Sequence, residues 1–383
     1  MTQSPALEFW LFLVLLAAVG LVVWYSIRVR QKRTRSDAYQ EALEHLIDGQ
    51  EALAIQKFKE AVRENSENVS AYLRLGDVLR KKGMVKHAIR IHKDLTFRGN
   101  LTPELKQKVY QSLLQDYEAA QDVENALQVA RRLLQFDKKG RHWVVQRLVA
   151  LLERKGEWGE ALEMTRKYLN TDNEGIKHRM ALYHVFQGLE LAKQDRGKDA
   201  RVKFKEALKV DPNCAAAYYY LGKSYEDEER LEDAIREWKK LCYAVPDRAY
   251  IVFSDLEKAC FEQGIFNEVE KIYLELLNLN TGNFKAGLSL AEIYLKKGDF
   301  DAAMDILDRL VETNVDPERL HAYRVRILYS RGQYKQAATQ AVELLEKEFH
   351  LTTPVFRCQN CHYEAREPLW VCPQCKSIGS FGL

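Results

Sequence analysis

Proline, glycine, cysteine and excess charge of one sign are all scarce in this sequence. Its 383 residues include only 8 prolines and 19 glycines, which favours helices over a fold of short strands and tight turns. The formal net charge of +3 is too close to balance to indicate a nucleic-acid-binding protein. The 7 cysteines are an odd number and unevenly placed, which excludes a secreted disulfide framework and fits a reducing compartment.

Catalytic motifs are also missing. The sequence has no Walker-type glycine loop, no GxSxG, no HExxH and no DxDG calcium loop, and its 9 histidines are scattered. We therefore expect a protein that is not an enzyme and has no catalytic residues.

One long apolar run lies near the N-terminus. The 19 residues from Phe9 to Ile27 carry no charge and would span about 28 Å as a helix, close to the hydrocarbon thickness of a bilayer. A cleaved signal peptide is the alternative, but no Lys or Arg precedes the run and no small-x-small cleavage pattern ends it. We predict a single transmembrane helix at 9–27.

Charge around this run predicts its orientation. Five basic residues follow it within 28–36, whereas only Glu8 precedes it. Because positive flanks stay cytoplasmic, residues 1–8 should form a short periplasmic tail and residues 28–36 a basic juxtamembrane linker. The predicted location is the inner membrane, with the bulk of the chain on the cytoplasmic side.

Self-similarity dominates residues 37–350. Tyr72, Leu75 and Gly76 recur as Tyr218, Leu221 and Gly222, at the spacing of tetratricopeptide repeats. A small residue expected where the two helices of each repeat cross recurs at intervals of 34, 38, 35, 39, 34, 35, 34 and 34 residues. We call these nine residues the crossing positions: Ala54, Ala88, Ala126, Ala161, Ala200, Ala234, Val269, Ala303 and Ala337.

This period predicts an all-α fold, a right-handed solenoid of about nine tetratricopeptide repeats with a concave protein-binding groove. Gly76 and Gly222 should let helices approach closely, while Phe58, Phe204 and Trp238 should fill the space between them. Further glycines should end the first helices of their repeats; they are Gly83, Gly156, Gly264, Gly298 and Gly332. No partner-binding residue can be assigned from this pattern.

Four cysteines lie in the last 26 residues, as two CxxC pairs separated by ten residues: Cys358, Cys361, Cys372 and Cys375. Two tight turns of this kind present four thiolates to one ion, so residues 354–383 should form a small rubredoxin-like ribbon holding one zinc or iron ion. A thioredoxin-type redox role competes, but two pairs without a βαβ pattern weaken it. His362 should be a surface residue rather than a ligand, because four thiolates already fill the shell.

The order of these parts resembles one family. The anchor, the repeats and the paired CxxC motifs, together with Gly83-x-x-x-x-Ala-Ile-Arg-Ile-His92, Arg357-Cys-Gln-x-Cys361 and Trp370-x-Cys-Pro-x-Cys375, are similar to lipopolysaccharide assembly protein B of Gram-negative bacteria. The resemblance covers essentially the whole chain. One departure is His362, where such knuckles often have glycine.

The resemblance implies a function that the residues alone do not. Proteins of this family act in the inner membrane as adaptors that bring the deacetylase of the lipid A pathway to a membrane-bound AAA+ zinc protease, which degrades it. A membrane protein that senses lipopolysaccharide opposes them. The resemblance also implies that Cys358, Cys361, Cys372 and Cys375 are needed for function, whereas no partner-contact residue carries over.

Other functions stay open at this stage. The chain could be a membrane-anchored scaffold for a different complex, a nucleic-acid-binding metal-ribbon protein, or an electron carrier with an iron site. Three cations against two acidic residues from Arg357 onward are too few to favour nucleic acid, so we expect no nucleic-acid partner. The metal, a possible homodimer and direct lipopolysaccharide binding are left undecided.

Overall fold

The structure of the protein is a computed structural model. It describes residues 18–26, 38–99, 101–136, 141–279, 283–311, 316–349, 356–365, 372–375 and 381–382. The chain divides into two compact units, Met1–Ile176 and Lys177–Leu383.

Both units consist mainly of helices. In the first unit they are 38–47, Glu51–Glu64, Val69–Lys81, Val85–Thr96, Pro103–Ala119, Val123–Phe136, Arg141–Lys155 and Trp158–Tyr168. Helix Glu174–Lys193 begins at the end of this unit and lies mostly in the second. The second unit continues with Gly197–Val210, Ala215–Glu226, Leu231–Ala244, the 3-10 helix Pro246–Val252, Phe253–Glu262, Asn267–Leu279, Phe284–Lys297, Phe300–Val311, Pro317–Ser330 and Tyr334–Phe349.

Local sequence explains where several of these helices begin. The side chains of Asn68, Thr102, Asn283 and Asp316 each accept a hydrogen bond from the backbone N–H three residues later. Such caps satisfy donors that have no partner within the helix. Proline follows directly at two of these caps, where its fixed φ suits the first helical turn.

The crossing positions confirm the repeat packing predicted from the sequence. Eight of the nine are fully buried, and Ala337 is 4% exposed. Each lies near the start of the second helix of a pair, and the two helices of most pairs contact each other directly. Small side chains at these points allow the helices to cross closely, as the tetratricopeptide fold requires.

Glycines on the first helices of three pairs face large side chains on the second helices, so the two helices of each pair can pack closely. A Cβ atom at Gly222 would overlap the indole of Trp238, one at Gly188 the ring of Phe204, and one at Gly76 the imidazole of His92. Trp238, Phe204 and His92 are at most 1% exposed. In all three cases the large residue lies sixteen positions after its glycine, so the same packing recurs from repeat to repeat.

A buried polar network joins three helices of the first unit. Asp116 is fully buried, and its two carboxylate oxygens lie 2.8 Å from Nη1 of Arg80 and 2.5 Å from Nδ1 of His92. The other ring nitrogen of His92 lies 3.1 Å from the carbonyl oxygen of Leu73. Because every member has a partner, the network holds helices Val69–Lys81, Val85–Thr96 and Pro103–Ala119 in one register.

The turn between the two helices of each pair requires a left-handed residue. It lies five positions before each crossing position, and its φ is between 58° and 80° in all nine turns. Glycine occupies six of these positions, among them all five glycines predicted from the sequence. The other three are Gln121, Asp195 and Glu229, at φ 58°, 60° and 58°.

Glycine at position 229 should stabilise its repeat. Glu229 is exposed, so Glu229→Gly removes a strained Cβ without removing a buried contact. We expect the opening free energy of helices Ala215–Glu226 and Leu231–Ala244, measured by native-state hydrogen exchange, to rise by about 1 kcal/mol. The matched change, Gly298→Ala at φ 78°, should speed exchange in its own repeat by a similar amount. Faster exchange in Glu229→Gly would contradict this account of the turn.

The described C-terminal residues form a small antiparallel sheet. Its strands are β1, Phe356–Cys358, β2, Glu364–Ala365, and β3, Phe381–Gly382, in the order β2-β1-β3. Arg357 pairs with Glu364 on one side and with Gly382 on the other. The predicted all-helical repeat fold with a terminal ribbon is therefore confirmed.

The predicted membrane span lies mostly outside the described residues. Of 9–27, only 18–26 are described, and they are helical. The predicted tail 1–8 and linker 28–36 lie wholly outside them. Within the part of the chain that the structure describes, no helix combines the length and the apolarity needed to cross a membrane.

Candidate metal centre

The first CxxC pair is shaped by a tight turn after strand β1. The backbone N–H of His362 donates to the carbonyl oxygen of Cys358 at 2.9 Å, and the N–H of Cys358 donates to that of Tyr363 at 3.0 Å. His362 has a left-handed φ of 60°. This reversal turns the chain back on itself within a few residues, so that Cys358 and Cys361 can face the same point.

All four predicted cysteines come together. Their sulfurs lie within 4.8 Å of one another. Sγ of Cys358 is 3.6 Å from Sγ of Cys375, and Sγ of Cys361 is 3.5 Å from Sγ of Cys372, so each short distance joins one CxxC pair to the other. These distances are far too long for disulfide bonds.

The cluster fits a tetrahedral metal ion. With metal–sulfur bonds of about 2.3 Å, the edge of a sulfur tetrahedron is about 3.8 Å, close to both short distances. Cys358 and Cys372 are buried, and Cys361 and Cys375 are half-buried. The four cysteines are therefore placed where they could hold a metal ion, and four sulfur ligands would leave no open position for a substrate.

The surroundings of Cys361 raise the pKa of its thiol. The backbone N–H of Tyr363 lowers the pKa of the Cys361 thiol, but desolvation and the neighbouring cysteine thiols outweigh it and raise that pKa to about 12. Without a metal the Cys361 thiol therefore keeps its proton at neutral pH. A bound ion must displace that proton, which makes metal affinity weaker as the pH falls.

His362 lies outside the sulfur cluster. Its side chain is exposed, and within the described residues the group that can hold a metal consists of the four cysteines alone. The backbone of His362 forms the turn in a left-handed conformation, which glycine adopts at a lower free-energy cost.

Family models match three parts of the chain. Tetratricopeptide repeat models match residues 187–248 and 261–327, and the rubredoxin metal binding domain matches residues 356–382. The last match covers the strands and all four cysteines.

Full-length relatives share this order of parts. Lipopolysaccharide assembly protein B of Escherichia coli strain K12 is 24% identical over 96% of this chain and 96% of its own length. This chain is a homologue of lipopolysaccharide assembly protein B. The protein of that name from Haemophilus influenzae is 23% identical over 96% of this chain and 95% of its own length.

Solved structures superpose only loosely on this chain. The TPR2AB domain of yeast Sti1, solved in complex with pHSP90, is 12% identical and covers 82% of this chain and 99% of its own, with a TM-score of 0.35. At that score the likeness supports no statement about ligands. The homology to lipopolysaccharide assembly protein B and the repeat models identify the chain as a scaffold protein of tetratricopeptide repeats and not an enzyme.

The sequence does not reveal a groove on the second unit that the structure shows. It lies among helices Phe253–Glu262, Phe284–Lys297 and Pro317–Ser330, and its volume is about 680 Å³. Its residues come from three repeats, about 34 positions apart, so no local motif marks them. The one local signal is Pro246, which begins the 3-10 helix that precedes the groove.

Proposed function

We propose that this protein is an inner-membrane adaptor that regulates lipopolysaccharide biosynthesis. In this proposal it presents the deacetylase of the lipid A pathway to a membrane AAA+ zinc protease for degradation, and a lipopolysaccharide-sensing membrane protein opposes it. The observation that supports it most is the homology to lipopolysaccharide assembly protein B over 96% of both chains, repeats and cysteine domain included.

Each part has a physical role in this proposal. Residues 9–27 anchor the chain with its N-terminus in the periplasm, residues 37–350 bind protein partners, and residues 354–383 form the metal domain. A tethered adaptor turns the encounter of a soluble substrate with a membrane protease into a nearly intramolecular step, which raises the effective concentration of the substrate.

Zinc is the ion we propose for the cysteine cluster, with Cys358, Cys361, Cys372 and Cys375 as ligands. A closed shell of four thiolates suits a structural zinc ion, which would hold the short strands in place. An iron ion in the same four-sulfur shell would colour the purified protein, so a colourless protein with one zinc per chain supports this assignment.

Loss of the protein should lengthen the half-life of the lipid A deacetylase in the native host. We expect at least a several-fold increase on depletion, measured by blocking synthesis and following the remaining deacetylase by immunoblot. Restoring the full chain should restore rapid turnover. An unchanged half-life would contradict the adaptor proposal and leave a membrane scaffold with a different client.

The anchor can be tested separately. A chain beginning at Arg35 should still fold and bind its partners, but should not restore deacetylase turnover at ordinary expression. A short unrelated transmembrane helix fused before Arg35 is the matched control and should restore it. Full restoration by the untethered chain would overturn the tethering role.

A further inference from the structure

The groove of the second unit coincides with a break in the repeat pattern. The first helix of this repeat starts as a 3-10 helix, Pro246–Val252, before the α-helix Phe253–Glu262 begins. Tyr250, in this 3-10 segment, is 43% exposed, so a large aromatic ring stands at the rim of the groove. Short 3-10 segments are common at helix ends, and this one carries Tyr250 to the groove.

The floor of the groove is apolar. Phe253, Leu288 and Ile293 line it, and each is less than 9% exposed. Tyr323 adds a second, half-buried aromatic ring. A volume of about 680 Å³ lies within the usual range for ligand pockets and can hold a few residues of an extended peptide.

The rim of the groove carries three cations: Lys285, Lys296 and Arg319. Nζ of Lys285 lies 3.1 Å from the centroid of the Tyr250 ring, and Lys285 forms no ion pair with any described residue. Lys296 reaches Glu292 only at 3.8 Å and is 64% exposed at its side chain. Arg319 is also exposed and pairs only with Asp316 of its own helix, among the residues described.

Both carboxylates in the groove already have partners. Glu292 accepts from both terminal nitrogens of Arg326, at 2.7 and 3.1 Å. Glu257 accepts from the hydroxyl of Tyr273 at 2.7 Å. Because the Tyr273 hydroxyl is neutral, Glu257 keeps its negative charge, and the three cations that line the groove exceed its two carboxylates by one. The net charge of the lining is therefore positive, above an apolar floor.

We propose that this groove binds a short acidic peptide segment carrying one aromatic or aliphatic side chain. The apolar side chain enters between Tyr250 and Tyr323, and flanking carboxylates meet Lys285 and Arg319. The pairs with Lys285 and Arg319 fix the register of the peptide, while Lys296 contributes mainly to attraction at a distance. This inference rests on the proposed adaptor function, because it names the chemistry of one partner segment.

Peptide binding can be measured with the full chain in detergent micelles by fluorescence anisotropy. The probe is fluorescein-labelled Asp-Glu-Phe-Glu-Asp, compared with Asn-Gln-Phe-Gln-Asn and Asp-Glu-Ala-Glu-Asp. We expect the first peptide to bind at least tenfold more tightly than either of the others, and its binding to weaken as salt is added. Equal binding of the acidic and amide peptides would overturn the proposal.

Charge reversal in the groove locates the site. The double variant Lys285→Glu with Arg319→Glu should weaken binding of the acidic peptide at least tenfold. Arg74→Glu with Lys108→Glu is the matched control, since it reverses two exposed cations of a cavity in the first unit and should leave binding unchanged. Unchanged binding by the first double variant, or displacement of the peptide by an equimolar single-stranded oligonucleotide, would overturn the assignment.

The groove and the adaptor function can fail independently. If depletion of the protein lengthens the deacetylase half-life but the acidic peptide does not bind, the groove proposal is wrong and the adaptor proposal stands. If the peptide binds as expected but depletion leaves the half-life unchanged, the groove proposal stands and the client is a different protein.

Discussion

Replacing Cys372 with serine should abolish stable metal binding by the full chain. The fully buried Cys372 sulfur lies 3.5 Å from that of Cys361, so its loss leaves three thiols around the ion. A neutral serine hydroxyl is a poor substitute for a thiolate ligand. Structural zinc contributes about 10–16 kcal/mol of apparent binding free energy in zinc-finger peptides, so the loss should be large. Elemental analysis should fall from one metal per chain to near zero.

The same substitution should unfold the terminal ribbon and spare the repeats. Strands of two or three residues cannot form a stable core without the ion. Limited proteolysis should therefore cleave the tail within 356–382 in Cys372→Ser, while the helical circular dichroism of the repeats is retained. Chelation of the wild-type metal should have the same effect.

Cys214→Ala is the matched control for this experiment. Cys214 is also fully buried, but it packs among helices of the second unit and is not part of the sulfur cluster. It should keep one metal per chain and a protected tail, with a small loss of helix stability. A full metal equivalent in Cys372→Ser would contradict the assignment of this ligand.

The repeat fold could be predicted because its pattern is local in the sequence. A crossing residue recurs every 34 to 39 positions, and in six of the nine turns a glycine lies five positions earlier. Each helix pair can therefore be located without reference to the rest of the chain. The metal site was predictable for the same reason, since two CxxC turns bring four sulfurs to one point. The pairing of Cys358 with Cys375 could not be predicted, because it depends on how the two turns face each other.

Other features could be recognised only from the backbone conformation in the structure. Gln121, Asp195 and Glu229 look like ordinary polar residues, yet each occupies the left-handed turn position that glycine fills in other repeats. Counting five positions back from the crossing residues would have identified them. The groove could not be found in this way, because Tyr250 and Lys285 are far apart in the sequence. Their contact depends on the 3-10 helix that contains Tyr250.

Trp238→Ala should cause the largest loss of stability among changes in the repeats. Trp238 is the largest fully buried side chain among the described residues, and its indole N–H donates to the carbonyl oxygen of Tyr219 at 3.2 Å. Removing the ring leaves a cavity beside Gly222 and removes the hydrogen bond from the indole N–H to the Tyr219 carbonyl. We expect a loss of about 3–5 kcal/mol in the opening free energy of helices Ala215–Glu226 and Leu231–Ala244, measured by native-state hydrogen exchange.

Two further variants separate cavity formation from a general effect of losing an aromatic ring. Phe261→Ala removes a ring that is 75% exposed in the same unit. The opening free energy measured by hydrogen exchange should therefore change by less than about 0.5 kcal/mol. Gly222→Ala should destabilise the wild-type chain, because its Cβ overlaps the indole, but should be tolerated in the Trp238→Ala background, where the indole is absent. A loss for Trp238→Ala no larger than that for Phe261→Ala, or additive effects of Gly222→Ala and Trp238→Ala, would show that this glycine–tryptophan contact does not hold the two helices together.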